Sequence, residues 1–179
     1  MKLISCTIEN FGKLNNVTYD FSGECNTICE DNGWGKSTLA SFIRVMFYGF
    51  KNESKKKLVD KERNRLMPWQ KGVYGGEIVF ETGGVVYSLR RTFGKKQVDD
   101  EFLLVRKDTN VECDDFSCDI GEELFKIDAQ SFERTVFIGQ SDCVTATTDS
   151  INAKIGNLAD NTDDINNFET AVGLSLIHI

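Results

Sequence analysis

The chain has 179 residues, 40% of them hydrophobic and 27% charged, with a formal net charge of −7. That composition supplies the packed core of one ordinary domain and excludes a globally disordered chain, while the acidity argues against polyanion binding over the whole surface. The longest apolar runs, such as residues 45–48 and 102–105, are too short to span a bilayer, and no signal peptide is visible at the N-terminus, so the sequence reads as cytoplasmic and without a membrane partner.

Residues 2–9 alternate apolar and polar with a period of two, which predicts a strand. Asn10-Phe11-Gly12 predicts a turn, residues 17–21 a second short strand, and residues 25–29 a third strand ending at Glu30. After it, Leu39, Phe42, Ile43, Met46 and Phe47 have helical spacing, so a helix is expected from about Lys36 to Tyr48, stopped by Gly49. Residues 50–75 are polar and basic, contain the one proline, Pro68, and read as a long functional or mobile loop. Residues 77–80 and 85–91 predict a hairpin turning at Gly83-Gly84. Residues 102–106 predict a further strand. Residues 120–125 and 129–134 predict short helices, the second capped by Asp128. Residues 135–138 predict a strand leading to Gln140, and helical patterns begin after Asp149 and again at Thr162. Residues 173–179 break this character. They read as a non-native tail resembling translated sequencing-adapter sequence, the alternative being a genuine short C-terminal strand.

Charge and cysteine usage narrow the chemistry. Residues 51–71 hold eight basic and three acidic residues, a net of +5, whereas residues 101–171 hold sixteen acidic and five basic ones, a net of −11. The basic segment, with Lys55-Lys56-Lys57, Arg63 and Arg65, either contacts DNA phosphates or is simply a solvated loop. The single histidine, His178, sits next to the C-terminal residue, which argues against a histidine-dependent catalytic triad, and one histidine cannot make a histidine-rich metal site. The six cysteines (Cys6, Cys25, Cys29, Cys113, Cys118 and Cys143) include no CxxC pair and read as buried free thiols.

The motif that carries chemistry is Asn32-Gly33-Trp34-Gly35-Lys36-Ser37-Thr38. A strand, a tight glycine-containing loop and a helix N-terminus together aim backbone N–H groups and a partial positive charge at phosphate oxygens. In that arrangement Gly33 and Gly35 permit unusual dihedrals and close backbone approach. Lys36 reaches the β- and γ-phosphates of ATP, the Ser37 hydroxyl ligates Mg²⁺, and Thr38 adds a contact to the α-phosphate. Asn32 and Trp34 complete the loop, Trp34 either covering the phosphates or packing on the neighbouring strand. The complete pattern places glycine at position 30, where this chain has Glu30, so that carboxylate must point away from a bound triphosphate.

Residues 1–12 together with this P-loop resemble the N-terminal ATPase head segment of the SMC/SbcC/RecF/RecN proteins. The run through Phe47-Tyr48-Gly49, Pro68-Trp69-Gln70, Gly75-Gly76, Arg90-Arg91-Thr92-Phe93-Gly94 and Phe132-Glu133-Arg134 most resembles YhaN-type bacterial AAA-family proteins. The resemblance implies an α/β P-loop NTPase of ABC-ATPase head type, a mixed sheet with an added antiparallel β-layer. It also implies a head split by a coiled coil, dimerising with a second ATPase head across two ATP molecules, with DNA and a nuclease as possible partners. Gln140 matches the Q-loop glutamine that joins the Mg²⁺ shell, the alternative being a surface glutamine at a strand end.

The family's signature motif, its Walker B aspartate with the catalytic glutamate and its switch histidine find no counterpart before Ala171, so no catalytic residue is assigned. On this reading, residues 1–148 are the N-terminal half of a head, 149–171 lead toward a coiled coil, and 172–179 are the non-native tail. The expected function is an ATP-binding head segment in DNA repair or chromosome maintenance, an ATPase in the intact protein but inactive alone because hydrolysis needs the missing C-terminal half. The alternatives are a non-catalytic nucleotide-binding or scaffold module, or a transport ATPase subunit. The family places contacts to base and ribose at residues 10–13, although Phe11 equally reads as a core or turn anchor. Trp69 reads as an anchor of the basic loop on the core, the alternative being stacking on a base, and Arg90 and Arg91 read as edge-strand charges.

Overall fold

The computed structural model describes residues 1–23, 25–51 and 61–137. The chain divides into a unit of residues 1–126 and a second unit beginning at Ile127. In the first unit the elements run β1 (Lys2–Phe11), β2 (Leu14–Asp20), α1 (Lys36–Tyr48), α2 (Glu62–Leu66), β3 (Gly75–Thr82), β4 (Val85–Thr92), a 3₁₀ turn (Gln97–Asp99), β5 (Glu101–Arg106), β6 (Val111–Glu112) and α3 (Ile120–Phe125). In the second unit α4 (Ala129–Thr135) is described, and the Asp128 carboxylate accepts from the Ser131 N–H at 2.7 Å as its N-cap.

One sheet organises the first unit, in the order β2-β1-β3-β4-β5-β6. Period-two alternation makes its two faces chemically opposite. Cys6, Ile8, Ile78, Phe80, Tyr87, Leu89 and Leu104 form the apolar face, in register across the strands (Cys6 opposite Ile78, Ile78 opposite Leu89, Leu89 opposite Leu104). The other face is polar and salt-linked. Arg90 pairs with Glu9 at 2.6 Å, Lys107 pairs with Glu77 at 3.1 Å, and Ser88 donates to Glu77.

Helix α1 covers the apolar face through Leu39, Phe42, Val45, Met46 and Phe47. Gly76 makes this possible. A Cβ there would lie 2.1 Å from the Thr7 carbonyl oxygen and 3.0 Å from the Phe42 ring, so only glycine lets the helix seat so close to β1 and β3. Helix α3 closes the far end of α1, with Phe125 edge-on to Phe47 at 5.7 Å.

Helix α2 is tied down by two buried arginines. Arg44 of α1, 2% exposed, pairs with Glu62, 6% exposed, and donates to the Gly49 carbonyl at 3.0 Å. Arg63, also 2% exposed, grips Asp100 through both carboxylate oxygens at 2.7 and 2.8 Å, donates to the Gly94 carbonyl at 3.1 Å and lies 4.5 Å from the Phe50 ring centroid. Phe50 itself sits in an aromatic cluster with Phe11, Tyr74 and Phe93.

The α1 boundaries, its Gly49 stop, the Gly83-Gly84 hairpin, both short helices and the Asp128 cap are as expected from sequence. Several expectations are corrected. Residues 25–29 form no strand and enter none of the described strand pairs. All described strand pairs are antiparallel, so the added antiparallel layer is present and the parallel pairs of a mixed sheet are not formed among the described residues. The long loop contains α2. Strand β1 runs through Asn10 and Phe11, and the turn falls at Gly12-Lys13. Thr135 ends α4 rather than opening a strand.

Arg90 and Arg91 lie on a central strand, not an edge, and point to opposite faces. Arg91 packs over Phe102 and donates to the Cys118 carbonyl. Of the described cysteines only Cys6 is buried, and burial pushes its thiol up to about 12; Cys25, Cys29 and Cys118 are exposed. Gln140, Cys143, His178, the helical starts after Asp149 and the residue 173–179 tail lie outside the described residues. No described helix is long and apolar enough to cross a membrane.

Removing one partner of a buried ion pair leaves an uncompensated charge, which costs about 3–5 kcal/mol. Arg63→Ala is expected to lower stability by about that amount in chemical denaturation. The change should be far larger than for Arg90→Ala, whose exposed pair contributes roughly 0–1 kcal/mol.

Candidate functional site: a phosphate-binding loop and its cleft

Asp31 to Gly35 form a tight loop into α1, with Gly33 at φ +83° and Gly35 at φ +127°, both backbone conformations that L side chains rarely adopt. Gly35 is the N-cap residue and offers no side chain. The first turn carries no acidic residue, and the first intrahelical bond is Leu39 N–H to the Gly35 carbonyl at 2.9 Å. The N–H groups at the helix start therefore have no capping side chain, which leaves donors and the positive end of the helix dipole for an anion.

Lys36 arches back over the loop. Its ammonium donates to the Glu30 carbonyl at 2.5 Å and the Asp31 carbonyl at 3.0 Å. Asn32, Gly33 and Ser37 are exposed, and Thr38 is half-buried. Trp34 packs on the neighbouring strand: its ring meets Tyr19 of β2 edge-on, with centroids 5.9 Å apart. Partial burial, and after it the negative charge of Glu30, pushes the Tyr19 hydroxyl above its ordinary value.

The β1–β2 turn presses against this loop. A Cβ on Gly12 would lie 2.9 Å from Thr38 Cγ2, and one on Gly35 would lie 2.9 Å from Leu14 Cδ2 and 3.2 Å from Lys13 Cε. Two glycines on facing segments therefore permit the approach, and it brings Lys13 alongside the loop. The Gly12 N–H donates to the Leu66 carbonyl at 2.7 Å, which joins the same turn to the end of α2.

Between these segments opens a cleft of about 650 Å³, a volume ordinary for a small-molecule site. Ser37, Thr38 and Ser41 of α1 form one side. Gly12 and Lys13 form another. Arg65, Leu66, Met67, Trp69 and Gln70 form the third. Among the described residues no carboxylate lines it. Among residues 10–13, Gly12 and Lys13 reach the cleft. Asn10 is buried and donates to the Val73 carbonyl at 2.9 Å, and Phe11 is core. Trp69 does not anchor the loop on the core, since it is 99% exposed at the cleft. Ser41, Arg65 and Gln70 were not singled out as cleft residues from sequence. The helical spacing of Ser37 and Ser41 was the available signal for Ser41.

The residues present fit a nucleoside triphosphate with Mg²⁺. An uncapped helix start, a lysine on the loop and exposed cations at Lys13 and Arg65 suit the phosphates. The exposed Ser37 hydroxyl suits a cation that keeps waters and phosphate oxygens as its other ligands. Among the described residues there is no preformed cluster of three or more metal-ligating side chains.

A family model described as an AAA domain matches residues 5–174. The uncharacterized protein YhaN of Bacillus subtilis (strain 168) is 35% identical over 82 residues, a stretch covering 45% of this chain and 8% of that protein. The chain therefore spans a small part of that relative's length. With the match running through the P-loop and nearly the whole sequence, the chain belongs to the AAA-domain family of SMC/SbcC-like P-loop proteins.

Proposed function

We propose that this chain binds Mg-ATP through residues 32–38 and serves as the nucleotide-binding part of an SMC/SbcC-like ATPase head. Its family is one of ATPase-type nucleotide-binding domains. The observation that carries the reading is the uncapped start of α1, with Lys36 and Ser37 beside a cleft that no described carboxylate lines. Lys36 would exchange two carbonyl acceptors for β- and γ-phosphate oxygens, and Ser37 would hold Mg²⁺, which supplies charge neutralisation to the phosphates. Gln140 would complete the Mg²⁺ shell.

Hydrolysis needs a group that orients or deprotonates water, and the described cleft lining holds no carboxylate. Turnover is accordingly assigned to the assembled protein, in which a second head closes over the nucleotide. A coiled coil, DNA, a nuclease partner, DNA repair and a cytoplasmic setting belong to the same reading, by resemblance.

The test is Mg-ATP binding by calorimetry alongside phosphate release. A charge-assisted hydrogen bond contributes about 1.5–3 kcal/mol, so Lys36→Ala is expected to weaken binding roughly 10- to 100-fold. Phosphate release should be negligible for both proteins. Unchanged affinity in Lys36→Ala sinks the site assignment, and turnover by the chain that Lys36→Ala abolishes sinks the assignment of hydrolysis to the assembly. Gly35→Ala is expected to weaken binding at least tenfold, because its Cβ meets Leu14 and the required φ of +127° is strained. Circular dichroism should show the sheet intact in that variant.

A further inference from the structure

The phosphate site fixes one end of a nucleotide, and its geometry points to where the other end goes. With the terminal phosphates at Lys36 and the α-phosphate at Thr38, the nucleoside leaves the loop on the Thr38 side. That side is the cleft, whose α1 wall continues from Thr38 to Ser41. Across it stands the segment that follows α2, and on that segment is Trp69.

Trp69 is out of keeping with its surroundings. An indole is among the largest apolar groups a protein has, yet this one is 99% exposed, so no described residue covers either ring face. The other tryptophan, Trp34, is packed against Tyr19 in the ordinary way. Nor is Trp69 on a segment free to fold inward. The backbone leading to it is stapled by the Leu66 carbonyl to Gly12 at 2.7 Å, and the Arg63 carbonyl accepts from the Tyr74 hydroxyl at 3.1 Å. Met67, which precedes Pro68, is extended at φ −63° and ψ 126°, as a residue before proline must be. The fold holds a flat aromatic surface at the cleft and keeps it bare.

We propose that Trp69 is a base-stacking residue, lying against the purine ring of the nucleotide whose phosphates the P-loop holds. This inference rests on the Mg-ATP reading and adds the recognition of the base. Stacking on an aromatic face does not discriminate between bases, because every base has a π-face. Among the described residues Gln70 is the one amide in the cleft lining, and no carboxylate is there to read a base edge. The site therefore takes ATP and GTP with similar affinity, and the base adds affinity without selectivity.

The experiment compares Mg-ATP, Mg-GTP and Mg-tripolyphosphate binding by the 179-residue chain and its Trp69→Ala, Trp69→Phe and Lys36→Ala variants. Tripolyphosphate has no base, so it reports the phosphate site alone. Trp69→Ala is expected to lose roughly tenfold in affinity for both nucleotides. It should hold tripolyphosphate as the parent does, and Trp69→Phe should recover most of the loss. Undiminished ATP binding in Trp69→Ala, with binding lost in Lys36→Ala, overturns the stacking role and leaves the P-loop reading standing. A parallel loss of tripolyphosphate in Trp69→Ala also overturns it, by showing that the residue shapes the cleft rather than contacting a base. A parent chain that binds neither ATP nor tripolyphosphate removes both readings together.

Discussion

The buried carboxylate of Glu62 is the constraint on which the rest of the site depends. It pairs with Arg44 on α1 and accepts from the Lys51 N–H at 2.8 Å, so one side chain ties a five-residue helix to the helix that carries the phosphate loop. Five residues make barely more than one turn, too short to hold a helix by its own hydrogen bonds. The stability of α2 is therefore tertiary, supplied by Glu62 and by the adjacent Arg63 grip on Asp100. Charges this deep are expensive to desolvate, and such pairs do little for net stability compared with apolar packing. What they supply is position. With α2 located, the Leu66 carbonyl meets the β1–β2 turn, and one wall of the cleft is set.

The other walls follow from small residues at facing positions. Gly76 admits Phe42, which seats α1 on the sheet, and Gly12 and Gly35 admit the β1–β2 turn to the loop. The sheet thus acts through backbone approach and not through catalytic side chains. Its solvent-facing ion pairs hold no part of the cleft, and its apolar face serves only to carry α1 at the required depth.

Much of this was legible in the sequence. The 3.6-residue spacing of α1, its glycine stop, the Gly-Gly hairpin and the Asp128 cap are local signals, written in adjacent residues and realised as written. The glycine loop and the helix after it were legible for the same reason, whereas the strand expected to lead into them is not formed. The failures share a different cause. Residues 25–29 read as a strand running into the glycine loop, but a strand requires a neighbour, and no local pattern reports whether one is available. Helix α2 was hidden in a polar basic stretch because its stabilising partners, Arg44 and Asp100, are 18 and 37 residues distant from Glu62 and Arg63. Trp69 was misread because a hydrophobic residue beside a proline is ordinarily an anchor, and only the fold shows that its segment holds it out of the core. Gln140 falls outside the described residues, so the resemblance alone carries its role.

The posture of Lys36 has a consequence for what the loop accepts. Its ammonium is satisfied by two neutral carbonyls of the loop that also presents it. An incoming anion must displace those acceptors, and the gain is only the difference between old partners and new. An anionic oxygen adds a Coulomb attraction to the ammonium that a neutral carbonyl lacks, so that difference grows with the charge concentrated on the ligand. A singly charged carboxylate recovers little beyond what it displaces, whereas adjacent phosphates recover a good deal. The loop thereby sorts anions by charge density before their shape is tested, and the lysine functions as a threshold as much as a tether.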